Sequence, residues 1–260
     1  MSRLSKGWNI QVRVIGALMV RELTTRFGRE NIGFLWVMGE PLLFAVLVGL
    51  LWRVTKGPTE YGINIFAFVV SGYVPLVLFR SSVGRAIHSL TANGSLMYHR
   101  QIKILDFILV RFIIEFIGHM MAYLFIALAL GALSLFPWPY DMGFLMLGWL
   151  YYSLFTLSIS LVVAPLSEMS EIMEKLIPVT TYLMVPFSGA FFLVGALHAD
   201  AANLVLYSPP VHGMEMMRYG LFGPSVDPQF DYLYPLKFCL PCMLLGLLLC
   251  RVARKRLVVE

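Results

Sequence analysis

Six apolar runs dominate this sequence, and each is close to the length of about 20 residues that an α-helix needs to cross a bilayer. Segments rich in proline, glycine or basic residues separate the runs. Their number and length favour a bundle of transmembrane helices over a soluble fold. We place the predicted spans at residues 34–51, 63–79, 107–136, 142–164, 176–197 and 234–250, with Pro165 expected to end the fourth.

The composition supports a membrane protein. Hydrophobic residues make up 59% of the 260 residues and charged residues only 13%, whereas soluble domains carry about 25% charged residues. The net charge of +5 could suggest a nucleic-acid ligand, but the lysines and arginines flank the apolar runs, as they do in membrane proteins. We therefore expect an all-α polytopic membrane protein with no nucleic-acid partner.

The basic residues are divided unevenly between the two sides of the membrane that these spans imply. With a cytoplasmic N-terminus, fifteen of the twenty lysines and arginines fall on the inner side. The outer side holds only Arg53, Lys56, Arg218 and Lys237. Because positive residues are retained in the cytoplasm, this asymmetry predicts that both termini are cytoplasmic.

The chain before the first span is basic and amphipathic. Trp8, Val12, Ile15, Met19 and Leu23 recur at helical spacing, but polar residues interrupt the stripe too often for a span. We predict a helix that lies in the headgroup plane, and a helix packed on the protein's own cytoplasmic surface is the alternative. The predicted organisation is one transmembrane domain, residues 1–260, with an interface segment at 1–33, a six-span bundle at 34–252 and a tail at 253–260.

Two connections are longer than the topology requires. The inner one, residues 80–106, is expected to form a short helix and then a basic tip. The outer one, residues 198–234, has two short apolar pieces separated by Ser208, Pro209 and Pro210. Two half-helices that meet at a Pro-Pro turn can enter the membrane and return, so we predict a re-entrant hairpin. An amphipathic outer loop is the alternative.

The common motifs for hydrolysis and energy conversion are absent from the sequence. It has no G-x-x-x-x-G-K-[ST], no H-E-x-x-H and no G-x-S-x-G. Cys239 and Cys242 form a C-x-x-C inside an apolar run, where thiols are inert, and no metal site is predicted. Few ionisable groups of the kind that gradient-driven transporters use lie in the apolar centres. We expect no cofactor on this chain and an energy source on another subunit.

Ionisable residues in or near the spans are assigned structural roles. Arg111 and Glu115 stand four residues apart and are expected to pair with each other. His119 is interpreted as a hydrogen-bonded helix-packing residue rather than a proton carrier. Glu40, at the boundary of the first span, is expected to pair with a neighbouring arginine.

Three blocks of the sequence resemble type-2 ABC transporter permeases that export polysaccharides. The first matches their opening basic run, L/I-G-x-L-W motif and proline through Arg21, Arg26, Phe27, Ile32, Gly33, Leu35, Trp36 and Pro41. Residues 93–106 are similar to the cytoplasmic loop N-x-G-L-x-x-Y-R-x-[VI]-K-x-x-D. Residues 208–218 are similar to the outer stretch N-P-L-V-H-x-x-E-x-x-R, with Ser208-Pro209 in place of Asn-Pro. Within the family, the chain most resembles the inner-membrane permease of group 2 capsular polysaccharide export.

The resemblance implies a transport subunit rather than an enzyme. Such permeases have six spans, form homodimers in the bacterial inner membrane and bind two cytoplasmic ATPase subunits, which carry ATP and Mg²⁺. They export a lipid-linked acidic polymer to the periplasm, where a periplasmic adaptor and an outer-membrane export protein are expected partners. The loop after the second span would couple to the ATPase, here through Arg85, Tyr98, His99 and Arg100. The outer hairpin would act as a gate, here with Pro209, Pro210, His212, Glu215 and Arg218.

Basic and aromatic residues at the inner interface indicate where an anionic glycolipid could enter. Positive charge would attract its head, and flat rings suit the C–H faces of sugars, although most membrane aromatics form interfacial belts. The candidate entrance and channel residues are Arg26, Arg29, Phe34, Trp36, Tyr182 and Phe187. Two alternatives remain: the same architecture exporting O-antigen, teichoic acid or a small lipophilic compound, and an integral-membrane enzyme acting on lipid-linked sugars.

Overall fold

The computed structural model describes residues 3–27, 32–87, 89–90 and 102–257, and most of this chain is helical. The α-helices are α1 (Arg3–Phe27), α2 (Ile32–Thr55), α3 (Ile65–Ile87), α4 (Ile104–Ala132), α5 (Met142–Met169), α6 (Glu171–Leu183), α7 (Ala199–Leu206), α8 (Pro209–Phe222) and α9 (Tyr234–Leu257). Short 3-10 helices cover Val185–Phe187, Val194–Ala196 and Gly223–Val226, and two strands, β1 (Thr59–Glu60) and β2 (Ile63–Asn64), complete these elements.

Helices occupy five of the six predicted spans along most of their length. In the described part of the chain, α3, α4, α5 and α9 are long and apolar enough to cross a membrane. The first run lies in α2, whose 24 residues give a length of about 36 Å. The expected stop at Pro165 is wrong, because α5 continues through this residue to Met169. A buried helix tolerates proline where its neighbours satisfy the freed carbonyl.

The fifth run does not form the single helix that we expected over residues 176–197. Helix α6 ends at Leu183 and is followed by two separate 3-10 turns. Pro186 lies in the first of these turns, where its ring and missing N–H oppose an α-helical continuation. Gly189 then adopts a φ of 76°, a left-handed conformation that glycine reaches without steric cost.

Helix α5 forms the centre of the bundle and packs against α3, α8 and α9. Its contact with α8 brings the two backbones together, because a Cβ on Gly148 would lie 2.4 Å from Met217 N, and one on Gly220 would lie 2.2 Å from Leu145 N. Small residues permit this close approach between helices. Nearly all of α8 is buried as a result.

A β-hairpin that the sequence analysis did not predict joins α2 to α3. Its strands pair antiparallel, and the two residues between them, Tyr61 and Gly62, have φ values of 52° and 77°. Positive φ at both positions is the signature of a type I′ turn. Asn64 then accepts a hydrogen bond from Phe66 N at 3.0 Å, which caps the start of α3.

Helix α1 divides its apolar stripe between the protein and its surroundings. Ile15, Met19 and Leu23 pack with Leu18 against α4. Trp8, in contrast, is 71% exposed, and the apolar residues Ile10 and Val12 are also exposed. The segment before the first span is helical, and part of its stripe packs on the protein, which agrees with the alternative interpretation; its position in the headgroup plane stays a prediction.

The outer connection contains the two helical segments that we predicted, α7 and α8. The turn between them consists of Tyr207 and Ser208, whereas Pro209 and Pro210 are the first residues of α8. Proline suits the first helical turn because the N–H that it lacks has no helical partner there. The expectation that the prolines themselves form the turn is therefore wrong.

Candidate functional site

A line of aromatic rings follows α3, which packs against both α2 and α6. The Arg80 guanidinium lies 4.2 Å from the ring centroid of Tyr182 on α6. Two helical turns away, Tyr73 stacks on Phe44 of α2, with ring centroids 3.7 Å apart and ring planes at 11°. Of the predicted channel residues, Tyr182 is 61% exposed and Phe187 is 41% exposed, so both rings can be reached from outside the chain.

The line continues through Trp52, Phe68 and Phe191 towards the β-hairpin. The ring centroid of Trp52 lies 6.2 Å from that of Phe68 and 6.1 Å from that of Phe191. Phe68 and Arg80 both belong to α3 and are separated by about 18 Å along its axis. The exposed rings, Tyr182 and Phe187, can contact a ligand, whereas Phe68 and Tyr73 are buried. None of these side chains is a nucleophile or part of an acid–base pair, so the exposed rings are suited to guiding a ligand rather than reacting with it.

Arg218, a predicted gate residue, is fully buried and holds irregular backbone. Its Nη1 donates to Gly189 O at 2.8 Å and to Phe192 O, and its Nη2 donates to Ala190 O at 2.6 Å. The guanidinium also lies 4.4 Å from the ring centroid of Phe68. Its N–H groups form a rigid fork, so one arginine can satisfy several carbonyls at once. Arg218 thus fixes the segment that replaces the end of the fifth predicted span.

Glu215 lies one turn before Arg218 on α8. It connects the segment before α7 with the segment after α8, and we call α7 and α8 with these flanking segments the hairpin region. Its carboxylate is buried and accepts from Val194 N at 3.3 Å and from Gln229 N at 3.4 Å. These partners lie before α7 and after α8. A buried carboxylate needs such donors, because its desolvation is otherwise unfavourable. Glu215 therefore fastens the two ends of the hairpin region to each other.

His212 on α8 connects the end of α7 to the segment that follows α8. Its Nε2 lies 2.8 Å from Leu206 O, and its Nδ1 accepts from Asp231 N at 2.9 Å. Both contacts can form only when the ring is neutral and carries its proton on Nε2. Together with Pro209 and Pro210 at the helix start, the predicted gate residues lie on one helix and hold the hairpin region in shape.

At the opposite end of α3, Glu115 joins three helices. Arg26 Nη1 of α1 and Arg85 Nε of α3 each lie 2.5 Å from Glu115 Oε1 on α4. The Glu115 side chain is fully buried, and that of Arg26 is 16% exposed. Burial lowers the pKa of Arg26, while the charge of Glu115 opposes that shift. We call Glu115, Arg26 and Arg85 the inner node.

The expected pairing of Arg111 with Glu115 is wrong. Arg111 Nε lies 3.1 Å from Glu22 Oε1 of α1, and its Nη1 donates to Arg85 O at 2.7 Å. The tertiary packing of α1 on α4 supplies a carboxylate that spacing along one helix cannot reveal. His119 is buried and its Nδ1 lies 2.8 Å from Glu115 O, as expected of a hydrogen-bonded packing residue.

One further contact between α1 and α4 was missed by the sequence analysis. Gln11 Nε2 donates to Asp106 Oδ1, and Asp106 Oδ2 accepts from Lys103 N at 2.9 Å. An acidic residue in the first turn of α4 is a usable sequence signal for a helix start, but nothing in the sequence assigns Gln11 as its partner.

Comparisons with known proteins match most of the chain. Residues 13–222 match the family described as ABC-2 type transporter. The chain belongs to the ABC-2 type transporter family. It is 39% identical over 238 residues to the capsule polysaccharide export inner-membrane protein CtrC of Neisseria meningitidis serogroup B, covering 92% of this chain and 90% of that protein.

Two other relatives have similar coverage. The chain is 34% identical over 240 residues to the capsule polysaccharide export inner-membrane protein BexB of Haemophilus influenzae, covering 92% of this chain and 91% of that protein. It is 24% identical over 253 residues to the polysialic acid transport protein KpsM of Escherichia coli, covering 97% and 98%. The predicted family is confirmed.

The remaining predicted residues of this ABC-2 transporter subunit can be placed only in part. Phe34 and Trp36 lie on α2, but their side chains fall outside the described part of the structure. Arg29 and the loop residues Tyr98, His99 and Arg100 lie outside the described residues altogether. Arg85 belongs to the last turn of α3. The described residues contain no group of three His, Cys, Asp or Glu side chains that could hold a metal ion.

Proposed function

We propose that this chain is the transmembrane subunit of an ATP-driven exporter that moves lipid-linked capsular polysaccharide from the cytoplasm to the periplasm. The observation that carries the proposal is its similarity to CtrC and BexB along 92% of its length, because both are named for capsule polysaccharide export. The exposed rings of Tyr182 and Phe187 support it, since stacking surfaces guide a sugar polymer without reacting with it.

The proposed subunit crosses the membrane six times, with both termini in the cytoplasm. Helix α6, with 13 residues, is about 20 Å long and cannot cross a core of about 30 Å by itself. The irregular backbone after it would complete the crossing. Backbone of this kind is tolerated at membrane depth when protein satisfies its polar groups, and Arg218 does so for three carbonyls.

A homodimer would complete the translocation path. Helices α2 and α6 both pack on α3 and present exposed apolar residues, including Leu43, Leu47, Val54, Leu176 and Val179. Tyr182 on α6 is exposed as well, so a second copy that faced α2 and α6 would cover its ring. Cross-linking tests the arrangement: Leu47→Cys and Val179→Cys should link two copies, whereas Phe125→Cys, on the exposed face of α4, should not.

Energy would come from two cytoplasmic ATPase subunits that bind ATP and Mg²⁺. The segment containing Arg85, Tyr98, His99 and Arg100 is the proposed coupling contact, and the inner node connects its first residue to α1 and α4. Arg29, Phe34 and Trp36 remain proposed entrance residues. The contact of Arg26 with Glu115 gives it a structural partner as well. A periplasmic adaptor and an outer-membrane export protein are the proposed partners beyond the membrane.

Deletion in the bacterium that encodes the chain tests the proposal. Cells without it should lose surface capsule and accumulate polymer in the cytoplasm, and a plasmid copy should restore the surface polymer. The tagged protein should co-purify with an ATP-binding subunit. Tyr182→Ala should reduce export at unchanged protein level, whereas Phe125→Ala, which removes an exposed ring from α4, should not. Normal capsule with loss of O-antigen, teichoic acid or a lipophilic compound from the surface would assign the other cargo.

A further inference from the structure

A pocket of about 460 Å³ lies where the β-hairpin, the α4–α5 loop and the end of α8 meet. Small-molecule sites typically measure about 300–1,000 Å³. All three segments lie on the outer side in the proposed topology. The line of rings leads to this place: the ring centroids of Phe68 and Tyr61 are 5.8 Å apart, and the next two residues, Gly62 and Ile63, line the pocket.

Aromatic side chains of the α4–α5 loop form one wall of the pocket. Phe136, Trp138 and Tyr140 all line it, and Trp138 is 87% exposed. A ring of this size that packs against so little of its own chain is available to a ligand. Pro137 and Pro139 flank Trp138, and their fixed φ angles restrict the backbone that carries it.

Backbone contacts hold this wall in place. Tyr140 N donates to Leu221 O at 3.4 Å and Asp141 N to Gly220 O at 2.8 Å, which ties the loop to the end of α8. The buried ring of Phe136 packs edge-on against Tyr123, with centroids 6.1 Å apart and planes at 82°. The pocket therefore exists before a ligand arrives, which lowers the entropy lost on binding.

Neutral polar side chains complete the lining of the pocket. Asn64 uses Oδ1 to cap α3, which leaves its Nδ2 as a donor. Ser225 Oγ donates to Phe222 O at 2.8 Å and can still accept. Ser134 adds a third polar side chain. None of the described residues that line the pocket is charged, so it lacks the cation that a phosphate headgroup would require and the carboxylate that a cationic ligand would require.

We propose that this pocket binds one neutral sugar unit of the polymer at the outer end of the translocation path. A pyranose offers apolar C–H faces to the rings and hydroxyl groups to the amide and the serines, which is the combination that the lining provides. The inference rests on the proposed function for the source of the sugar. It adds a site on the outer surface, formed within a single chain and separate from the line of rings along α3.

The test measures binding by calorimetry to the full chain in complex with its ATPase subunits in lipid nanodiscs. The probe is a mixture of di- to tetrasaccharides from partial hydrolysis of the capsule that the cells make. Saturable binding is expected, and Trp138→Ala should raise Kd about tenfold or more, because it removes the most exposed ring. Trp138→Phe, which keeps a ring, should bind within a few-fold of the wild type. Asn64→Asp keeps the cap on α3 but removes the donor, and should also weaken binding.

A control variant and two competitors distinguish a sugar site from nonspecific aromatic binding and from a lipid site. Trp8→Ala removes another exposed tryptophan, from α1, and should leave Kd unchanged. Glycerophosphocholine and glycerophosphoglycerol, the headgroups of common lipids, should not compete; competition would show a lipid site and overturn the proposal. Binding that is unchanged in Trp138→Ala, or no binding by a complex that exports capsule, would also overturn it while leaving the proposed function intact. Absence of capsule export altogether would instead refute the proposed function.

Discussion

Loss of the negative charge of Glu115 should weaken the attachment of α1 to the bundle. The substitution Glu115→Gln keeps the shape of the side chain but removes the negative charge that Arg26 and Arg85 share. Removing one member of a buried ion pair costs about 3–5 kcal/mol. The Arg85 side chain is 38% exposed and can regain water, so we expect a loss near the lower limit, about 3 kcal/mol.

Denaturant unfolding of the detergent-solubilised protein measures this loss, and the chain contains a matched control. Lys56 Nζ and Glu60 Oε1 lie 3.0 Å apart, but the lysine side chain is 42% exposed. Glu60→Gln should therefore change the free energy of unfolding by no more than about 0.5 kcal/mol. The position of α1 is followed by thiol labelling of Leu18→Cys, a residue that is buried against α4 and should react faster when Glu115→Gln is added.

A double-mutant cycle decides whether the effect arises from the contact with Arg26. If Glu115 and Arg26 interact as the structure indicates, the free-energy losses of Glu115→Gln and Arg26→Gln should not add, and their coupling energy should be about 1–3 kcal/mol. Additivity within about 0.5 kcal/mol, or an equal loss in Glu60→Gln, would refute the reasoning.

Three other predictions concern α8 and its contacts. Gly148→Ala would place a Cβ 2.4 Å from Met217 N and should lower the melting temperature clearly, whereas Gly16→Ala, with nothing within 4 Å, should raise or maintain it. Arg218→Lys replaces a fork that reaches three carbonyls by a single ammonium group and should cost about 2–3 kcal/mol in unfolding experiments. Protonation of His212 would turn Nδ1, the acceptor for Asp231 N, into a donor. The melting temperature should therefore decrease as the pH drops below about 6.5, the ordinary histidine pKa. The His212→Gln variant should lose that part of the pH dependence.

The sequence predicted most of the helices because hydrophobic periodicity and length are local properties. It failed where a neighbour in space decides the outcome. Spacing paired Arg111 with Glu115, but α1 brings Glu22 to Arg111 and Arg26 to Glu115. The orientation of a helix face depends on packing that one sequence does not encode as a pattern.

The same limit applies to the candidate sites. The motif in α8 pointed to Glu215 and Arg218, yet their function as holders of irregular backbone follows from carbonyls and amides 14 to 29 residues away. The pocket could not be predicted at all, since Asn64, Trp138 and Ser225 come from three separate segments. The Tyr61-Gly62 turn carried a usable signal, because a glycine after a turn residue between short strands is typical of a hairpin.

The contacts also indicate which part of the molecule moves during transport. Helix α8 is held to α5 by backbone approach at Gly148 and Gly220 and to the outer segments by Arg218, so α5, α8 and these segments should move as one body. Helices α1, α3 and α4 meet in part through a single carboxylate, Glu115. A change at the proposed coupling loop, which follows Arg85 in the sequence, would break this contact. We therefore expect ATP binding to change distances between α1 and α4 while those between α5 and α8 stay constant. Spin labels on the exposed faces of these helices measure both distances, and a change confined to α5 and α8 would contradict the argument.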